Sequence, residues 1–280
     1  MKYQHIRNAT GLLELGEHRL LIDPMLSASG ALPGLKLFGG GKRRNPLVEL
    51  PQGTLEQMET ATAVLVTHEH PDHLDSPGLA WLRARKLPVL CSPIDVASLA
   101  RKGLDARAFV DGVLGMHAET VETRHGSGLL GWLMGPVTGF YLAADGEPSV
   151  YLTSDTVLTD PLTASLERLA PDVVIAPAGS ANFGRFRDIL FSVDELVTIA
   201  KRLQGHLIFN HLEAMDHCPT TRTALRERMR REGLDDRTWI PEDGEARAFQ
   251  ATSPTRVAVA QAAMREPGFQ KWLTGKFAPS

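Results

Sequence analysis

The chain has little of what would place it in several large protein classes. Its 280 residues include only two cysteines, Cys91 and Cys218, far apart and without paired spacing, so a disulfide framework is excluded. Charge of one sign is not in excess: 30 lysines and arginines face 33 aspartates and glutamates, a net of −3. That balance gives no general attraction to nucleic acid or to an anionic membrane. No run of about 18 apolar residues is there to cross a bilayer. The nearest approach, residues 129–136, is broken by Gly131, Gly135 and Pro136. The opening Met1-Lys2-Tyr3-Gln4-His5 lacks the apolar stretch of a secretory signal. Fixed-period repeats and low-complexity tracts are missing, and no linker divides the chain. These absences lead us to expect a soluble, cytoplasmic protein of one domain over residues 1–280. A small molecule is the expected partner, with no nucleic acid and no membrane, and homo-oligomerisation stays open.

What is present is an alternation of short apolar runs and amphipathic stretches. Residues 3–23 read as strands with a turn at Gly16-Glu17, and Asp23-Pro24 ends them because proline cannot continue a ladder. Residues 27–53 hold six glycines, three prolines and the basic run Lys42-Arg43-Arg44. A loop this long is either a surface excursion or a lid whose basic run meets an anionic substrate. Residues 63–66 fit a buried strand, and 76–86 a helix with Ser76 as cap and Pro77 in its first turn. A strand over 88–90 and a helix over 93–102 follow. Residues 107–125 read as β-rich, with strands over 113–116 and 119–124. Strands over 137–143 and 149–153 flank the hairpin turn Asp145-Gly146. Next come a helix over 161–170, a strand over 173–176, a helix over 193–203, a strand over 207–209 and a charged helix over 219–232. Residues 258–280 suggest an amphipathic C-terminal helix with a frayed tail. This order is that of an α/β protein.

Directly after the 63–66 strand stands Thr67-His68-Glu69-His70-Pro71-Asp72-His73. A strand end is a rigid platform opening onto a loop. Three imidazoles and a carboxylate within six residues are the ligand types that borderline divalent metals accept. In extended chain His68 and His70 face one side together, and past Pro71 the chain can turn Asp72 and His73 toward a second point. One loop cannot close two metal sites, so further ligands are expected at other strand ends. His125, Asp155 and His211 are the candidates, with His117 competing for the place of His125. Gly126 favours His125 because it permits close approach.

These residues resemble the metallo-β-lactamase superfamily, whose signature is His-x-His-x-Asp-His followed by a distant His, Asp and His. The resemblance covers nearly the whole chain and implies an αββα sandwich: two mixed β-sheets flanked by helices. It further implies two divalent ions, zinc first, with manganese or iron as alternatives. His68, His70 and His125 would hold one; Asp72, His73 and His211 the other; Asp155 would bridge them. The opening Ile6-Arg7-Asn8-Ala9-Thr10, with Leu21-Ile22-Asp23-Pro24, is similar to the ascorbate-6-phosphate lactonase-like branch, although relatives often carry histidine where this chain has Asn8.

The implied reaction is hydrolysis of a small, anionic lactone, ester or phosphoester by a hydroxide generated at a dinuclear site. Asp72 and Asp155 are the candidates to orient water and pass its proton on. His217, Asn182 and Arg185 are candidate pocket residues, with Arg187 as an alternative anion binder. Asp23 is expected to support a ligand histidine. Cys218 reads as a small buried residue, and the four tryptophans as packing. Three other functions compete. A nuclease or phosphodiesterase would need an extended basic surface. A di-iron oxygen- or NO-reducing protein usually has glutamate where this chain keeps His70, and a flavin domain. A non-catalytic metal-binding protein would keep the ligands alone.

Overall fold

The structure, a computed structural model, describes residues 1–36, 41–126, 131, 134–182 and 189–251. The expected helix over 258–280 lies outside them. Strands β1 (Lys2–Arg7), β2 (Thr10–Leu15), β3 (His18–Ile22), β4 (Ala63–Val66), β5 (Pro88–Cys91), β6 (Asp105–Ala108) and β13 (Ala246–Ala248) make one sheet. Its order is β13-β1-β2-β3-β4-β5-β6. Strands β7 (His117–Arg124), β8 (Pro136–Ala143), β9 (Val150–Leu152), β10 (Val173–Pro177), β11 (His206–Asn210) and β12 (Thr238–Trp239) make the other, in the order β12-β11-β10-β9-β8-β7. Both sheets are mixed, because hairpins at one side give way to parallel crossovers at the other.

Period-two alternation sorts each strand's side chains into two layers. Val173 and Ile175 of β10 meet Leu20, Ile22, Leu65 and Phe140 in the apolar layer between the sheets. Val174 and Ala176 of the same strand face outward. There they pack on α4 (Asp160–Leu169), α5 (Val193–Arg202) and α6 (Arg222–Arg231) through Leu166, Leu196 and Leu225. On the first sheet's outer face, Leu21, Val64 and Val89 meet Met58, Leu82 and Leu99. Those three belong to α1 (Thr54–Met58), α2 (Ser76–Arg85) and α3 (Val96–Arg101). The result is the αββα arrangement.

Four local expectations need correction. Residues 113–116 are not a strand. Val113–Gly115 is a 3₁₀ turn, entered at Gly112 (φ 85°) and left through Gly115 (φ 70°), and β7 starts at His117. The N-terminal segment forms three strands, because Asn8 takes a left-handed conformation (φ 57°) and turns β1 into β2. Asp75, not Ser76, caps α2, its carboxylate accepting from Gly78 N at 2.8 Å. The helix expected over 93–102 is only α3, since residues 92–95 form a turn closed by Asp95 N donating to Ser92 O.

The 27–53 segment is irregular but tied down where it is described. The buried Arg7 guanidinium donates to Met25 O, Ser27 O and Val48 O. Asp75 accepts from Leu26 N and Ser27 N. Farther out, the Asp216 carboxylate accepts from Leu35 N, Lys36 N, Arg43 N and Asn45 Nδ2.

Candidate metal centre

Strand β4 is buried along its whole length, and the chain leaves it at Thr67. His73 N and Leu74 N both donate to His70 O at 2.9 Å, closing a tight turn that swings Asp72 and His73 away from His68 and His70. Topology brings the other candidates to the same rim. Strands β9, β10 and β11 are parallel, and β7 runs with β9 because both are antiparallel to β8. The C-terminal ends of β7, β9 and β11 therefore lie at one edge. His125 follows β7 directly, Asp155 stands three residues past β9, and His211 follows β11 directly.

The seven side chains meet in two adjoining groups: His68, His70 and His125; and Asp72, His73, Asp155 and His211. Within each group the ligand-type atoms lie within 4.8 Å of one another. All are buried except the half-buried His70. His68 Nε2 stands 3.0 Å from His70 Nδ1. Asp155 Oδ2 is 3.2 Å from His73 Nε2 and 3.6 Å from both His125 Nε2 and His211 Nε2, so it touches both groups. Asp72 Oδ2 is 3.2 Å from His211 Nε2.

Outward-facing nitrogens are held by a different set of atoms. His73 Nδ1 donates to Asp23 Oδ2 at 2.8 Å, and His125 Nδ1 to Ile189 O at 3.0 Å. Thr67 Oγ1 lies 3.1 Å from His68 Nδ1 while itself donating to Asp23. Cys218 Sγ lies 3.3 Å from His211 Nδ1. A proton on each Nδ1 leaves the Nε2 lone pair pointing inward, the orientation a metal ligand needs. His73 Nε2 is buried and has no aligned hydrogen bond.

Electrostatics separate the two groups. Burial holds His68 well below its ordinary value, brings His125 down to about 4 and lowers His70, so this trio is neutral at pH 7. Burial would raise Asp72 and Asp155, but imidazole neighbours outweigh it and hold both well below the carboxylate range. Burial would likewise lower His73, yet Asp155 and Asp23 push it up to about 10. Two buried carboxylates thus draw positive charge to one point. Three neutral imidazoles beside two ionised carboxylates that attract positive charge, with His73 Nε2 facing inward toward Asp155, fit divalent cations, which would displace the proton from His73.

Beside the groups opens a cleft of about 160 Å³, lined by Leu35, Pro71, Met134 and Ile189 together with His70, Asp72, His125, Asp155 and His217. His217 is therefore a wall residue. Asn182 is not among the described lining residues; its amide donates to Ser180 O and its N–H to His217 O. Arg185 and Arg187 lie outside the described residues. His117 is excluded from the site: it begins the strand whose far end carries His125, and it pairs with Asp111 at 2.6 Å. Cys218 is buried as expected, but its sulfur also contacts a site histidine. Asn8 donates from Nδ2 to Asp72 O, holding the motif loop by its backbone. Trp239 packs edge-on to Tyr3, and Trp81 lies under Arg85. Sequence reasoning missed Leu35 and Asp216, because nothing local marks that a loop leucine is held by an aspartate 181 positions away.

Comparison with known proteins agrees with this fold. A family model described as the β-lactamase superfamily domain matches residues 18–211. A UPF0173 metal-dependent hydrolase of Xanthobacter autotrophicus is 31% identical over 192 residues, covering 64% of this chain and 72% of the relative. Among solved structures, an isothiocyanate hydrolase from Delia radicum gut bacteria is 31% identical with a TM-score of 0.83, covering 90% of this chain and all of that one. A possible metal-dependent hydrolase of Veillonella parvula is 29% identical with a TM-score of 0.83, covering 89% of this chain and 99% of that one.

Proposed function

This chain belongs to the β-lactamase superfamily, and from that premise we propose that it hydrolyses a small, uncharged electrophile with an apolar substituent, using two divalent cations. The observation that carries the reading is the joining of two ligand groups at Asp155 beside an apolar cleft. His68, His70 and His125 would hold one cation; Asp72, His73 and His211 the other, with Asp155 between them. Zinc suits this donor mixture, and manganese or iron is accepted by it as well. Such cations lower the pKa of a bound water toward about 7 and polarise the electrophile.

The chain's own groups do the rest. Asp72 and Asp155, held ionised, are placed to orient water and to accept a proton for delivery to the leaving group. Leu35, Pro71, Met134 and Ile189 bury the substituent and exclude bulk water. The described lining has no lysine or arginine, so the cations themselves would be the counter-charge for an anionic group, and the apolar wall is what favours an uncharged substituent. An isothiocyanate, the substrate class in the name of the Delia radicum relative, is uncharged and fits this wall. Esters and lactones, the class suggested by the opening segment, are alternatives of the same electrophilic kind.

The test joins elemental analysis to a hydrolysis screen over benzyl isothiocyanate, lactones, esters, phosphodiesters and β-lactams. For an isothiocyanate, one water enters and an amine and carbonyl sulfide leave. We expect H68A and D155A to keep the wild-type circular dichroism and to lose at least about 10³-fold in turnover, the scale of removing one catalytic group. Full activity after complete chelation would refute the proposal.

A further inference from the structure

We propose that Leu35 sets how large a substituent the cleft accepts, and that Asp216 is the positioning residue that holds Leu35 there. The inference deepens the functional reading above and rests on it for the substrate class.

Leu35 belongs to a long irregular segment, which by itself would not hold a wall in place. Asp216 supplies the hold. Its side chain is fully buried, with one oxygen accepting from Leu35 N at 2.9 Å and Asn45 Nδ2 at 3.0 Å, and the other from Arg43 N at 3.2 Å. Asn45 returns the contact, its Oδ1 accepting from Asp216 N at 2.8 Å. Leu47 N donates to Ala214 O at 2.7 Å, fastening the segment a second time to the same turn. That turn begins at His211 and carries His217, so one stretch of chain supplies a site histidine, a wall histidine and the anchor of Leu35. Gly34 is required by this clamp: a Cβ there would lie 2.3 Å from Arg43 O and 2.7 Å from Asp216 Oδ2.

From this anchor Leu35 packs against the buried cluster that includes Met25, Ile189, Leu190 and Met215, and lines the cleft together with Met134. Hydrogen bonds to an ionised acceptor are the strong ones, so the carboxylate fixes the backbone and the backbone fixes the leucine. Replacing Asp216 by asparagine keeps the shape but puts an amide donor where backbone donors now point.

The experiment compares wild type with L35A, L35W and D216N on two ligand series. One is alkyl isothiocyanates of one to six carbons, read as kcat and KM. The other is alkanethiols of two to eight carbons binding to the zinc-loaded protein, read by calorimetry. Each methylene buried against the wall should raise affinity about fourfold until the wall is reached. We expect L35A to move that limit to longer chains and L35W to shorter ones. D216N should blur the limit, raising KM for long chains while kcat stays within about threefold, a split that simple loss of fold would not give. G34A, which spoils the clamp from the other side, should match D216N. If L35A and L35W leave the chain-length dependence of both series unchanged, the inference is overturned. If no isothiocyanate is turned over but the thiol series behaves as expected, the substrate reading fails and the role of Leu35 stands.

Discussion

Replacing Asp23 by asparagine tests whether a residue outside the ligand groups governs them. Asp23 Oδ1 accepts from Thr67 N at 2.7 Å; Oδ2 accepts from Thr67 Oγ1 at 2.7 Å and from His73 Nδ1 at 2.8 Å. The amide can keep the first bond with its oxygen. Its NH₂ then sits where Oδ2 was, facing two groups that are themselves donors. In the metal-free wild type Asp155 and Asp23 favour a protonated His73, and a cation displaces the Nε2 proton while Asp23 keeps the one on Nδ1; in D23N Nδ1 loses its acceptor, so the proton that remains settles on Nε2. Nε2 is the nitrogen that stands 3.2 Å from Asp155 in the ligand group. A protonated Nε2 cannot bind a cation, so the wrong tautomer competes with metal. Loss of such an outer partner typically weakens metal binding about 10–100-fold, or about 1.4–2.8 kcal/mol at about 1.4 kcal/mol per decade. The assay is competition between the metal-free chain and a zinc chelator of known affinity, fitted for two ions. We expect the ion held by the Asp72, His73 and His211 group to lose affinity by that factor. Equal affinity for both ions in D23N and wild type would refute the reasoning.

Two further outcomes concern parts of the fold that support the site. Arg222 is buried, donates to Asp243 and to Glu213 Oε2, and contacts His5. R222M should therefore cost about 1–3 kcal/mol in urea unfolding, because it leaves the half-buried Asp243 carboxylate without its cation. The same network sets an acid limit. Burial lowers His5, so stability falls as pH drops from its unfolded value near 6.5 toward its folded one. Burial would raise Asp243, but His5 and Arg222 outweigh it and hold it down, so further stability is lost as pH falls below about 3.9. In R222M this second loss should shrink, which a pH series of urea midpoints will show. Gly179 sits against the His211 turn: a Cβ there would lie 2.4 Å from His211 O and 2.8 Å from Cys218 Cβ. G179A should cost about 1–3 kcal/mol and reduce the rise in Tm on adding zinc; an undiminished rise would show that the turn tolerates displacement.

The parts legible in the sequence were those with a local physical signature. Strand 63–66 was readable because four consecutive apolar residues are bounded by polar ones, and the helix near 76–86 because a capping residue and a proline mark its first turn. The histidine motif was readable because its residues are neighbours in the chain. His125, Asp155 and His211 came next because each closes a recognisable strand, and parallel strands bring their ends together. Asp75 as a cap was hidden by Ser76, an equally good capping type one position on. Leu35 and Asp216 carried no signal, since their meeting joins positions 181 apart in the chain. The turn at 113–115 was misread because valine and leucine favour strands, while the glycines on either side decide the backbone.

Asp155 belongs, by distance, to both groups of ligands. The two positions are then not separate containers that fill one after the other without regard to each other. If two cations occupy the site as proposed, one seated on either side would compete for the shared carboxylate and neutralise charge that the other side also uses. On the proposed reading, occupancy of each place would be a property of the pair, and a chain carrying one ion would be a different binder from a chain carrying none.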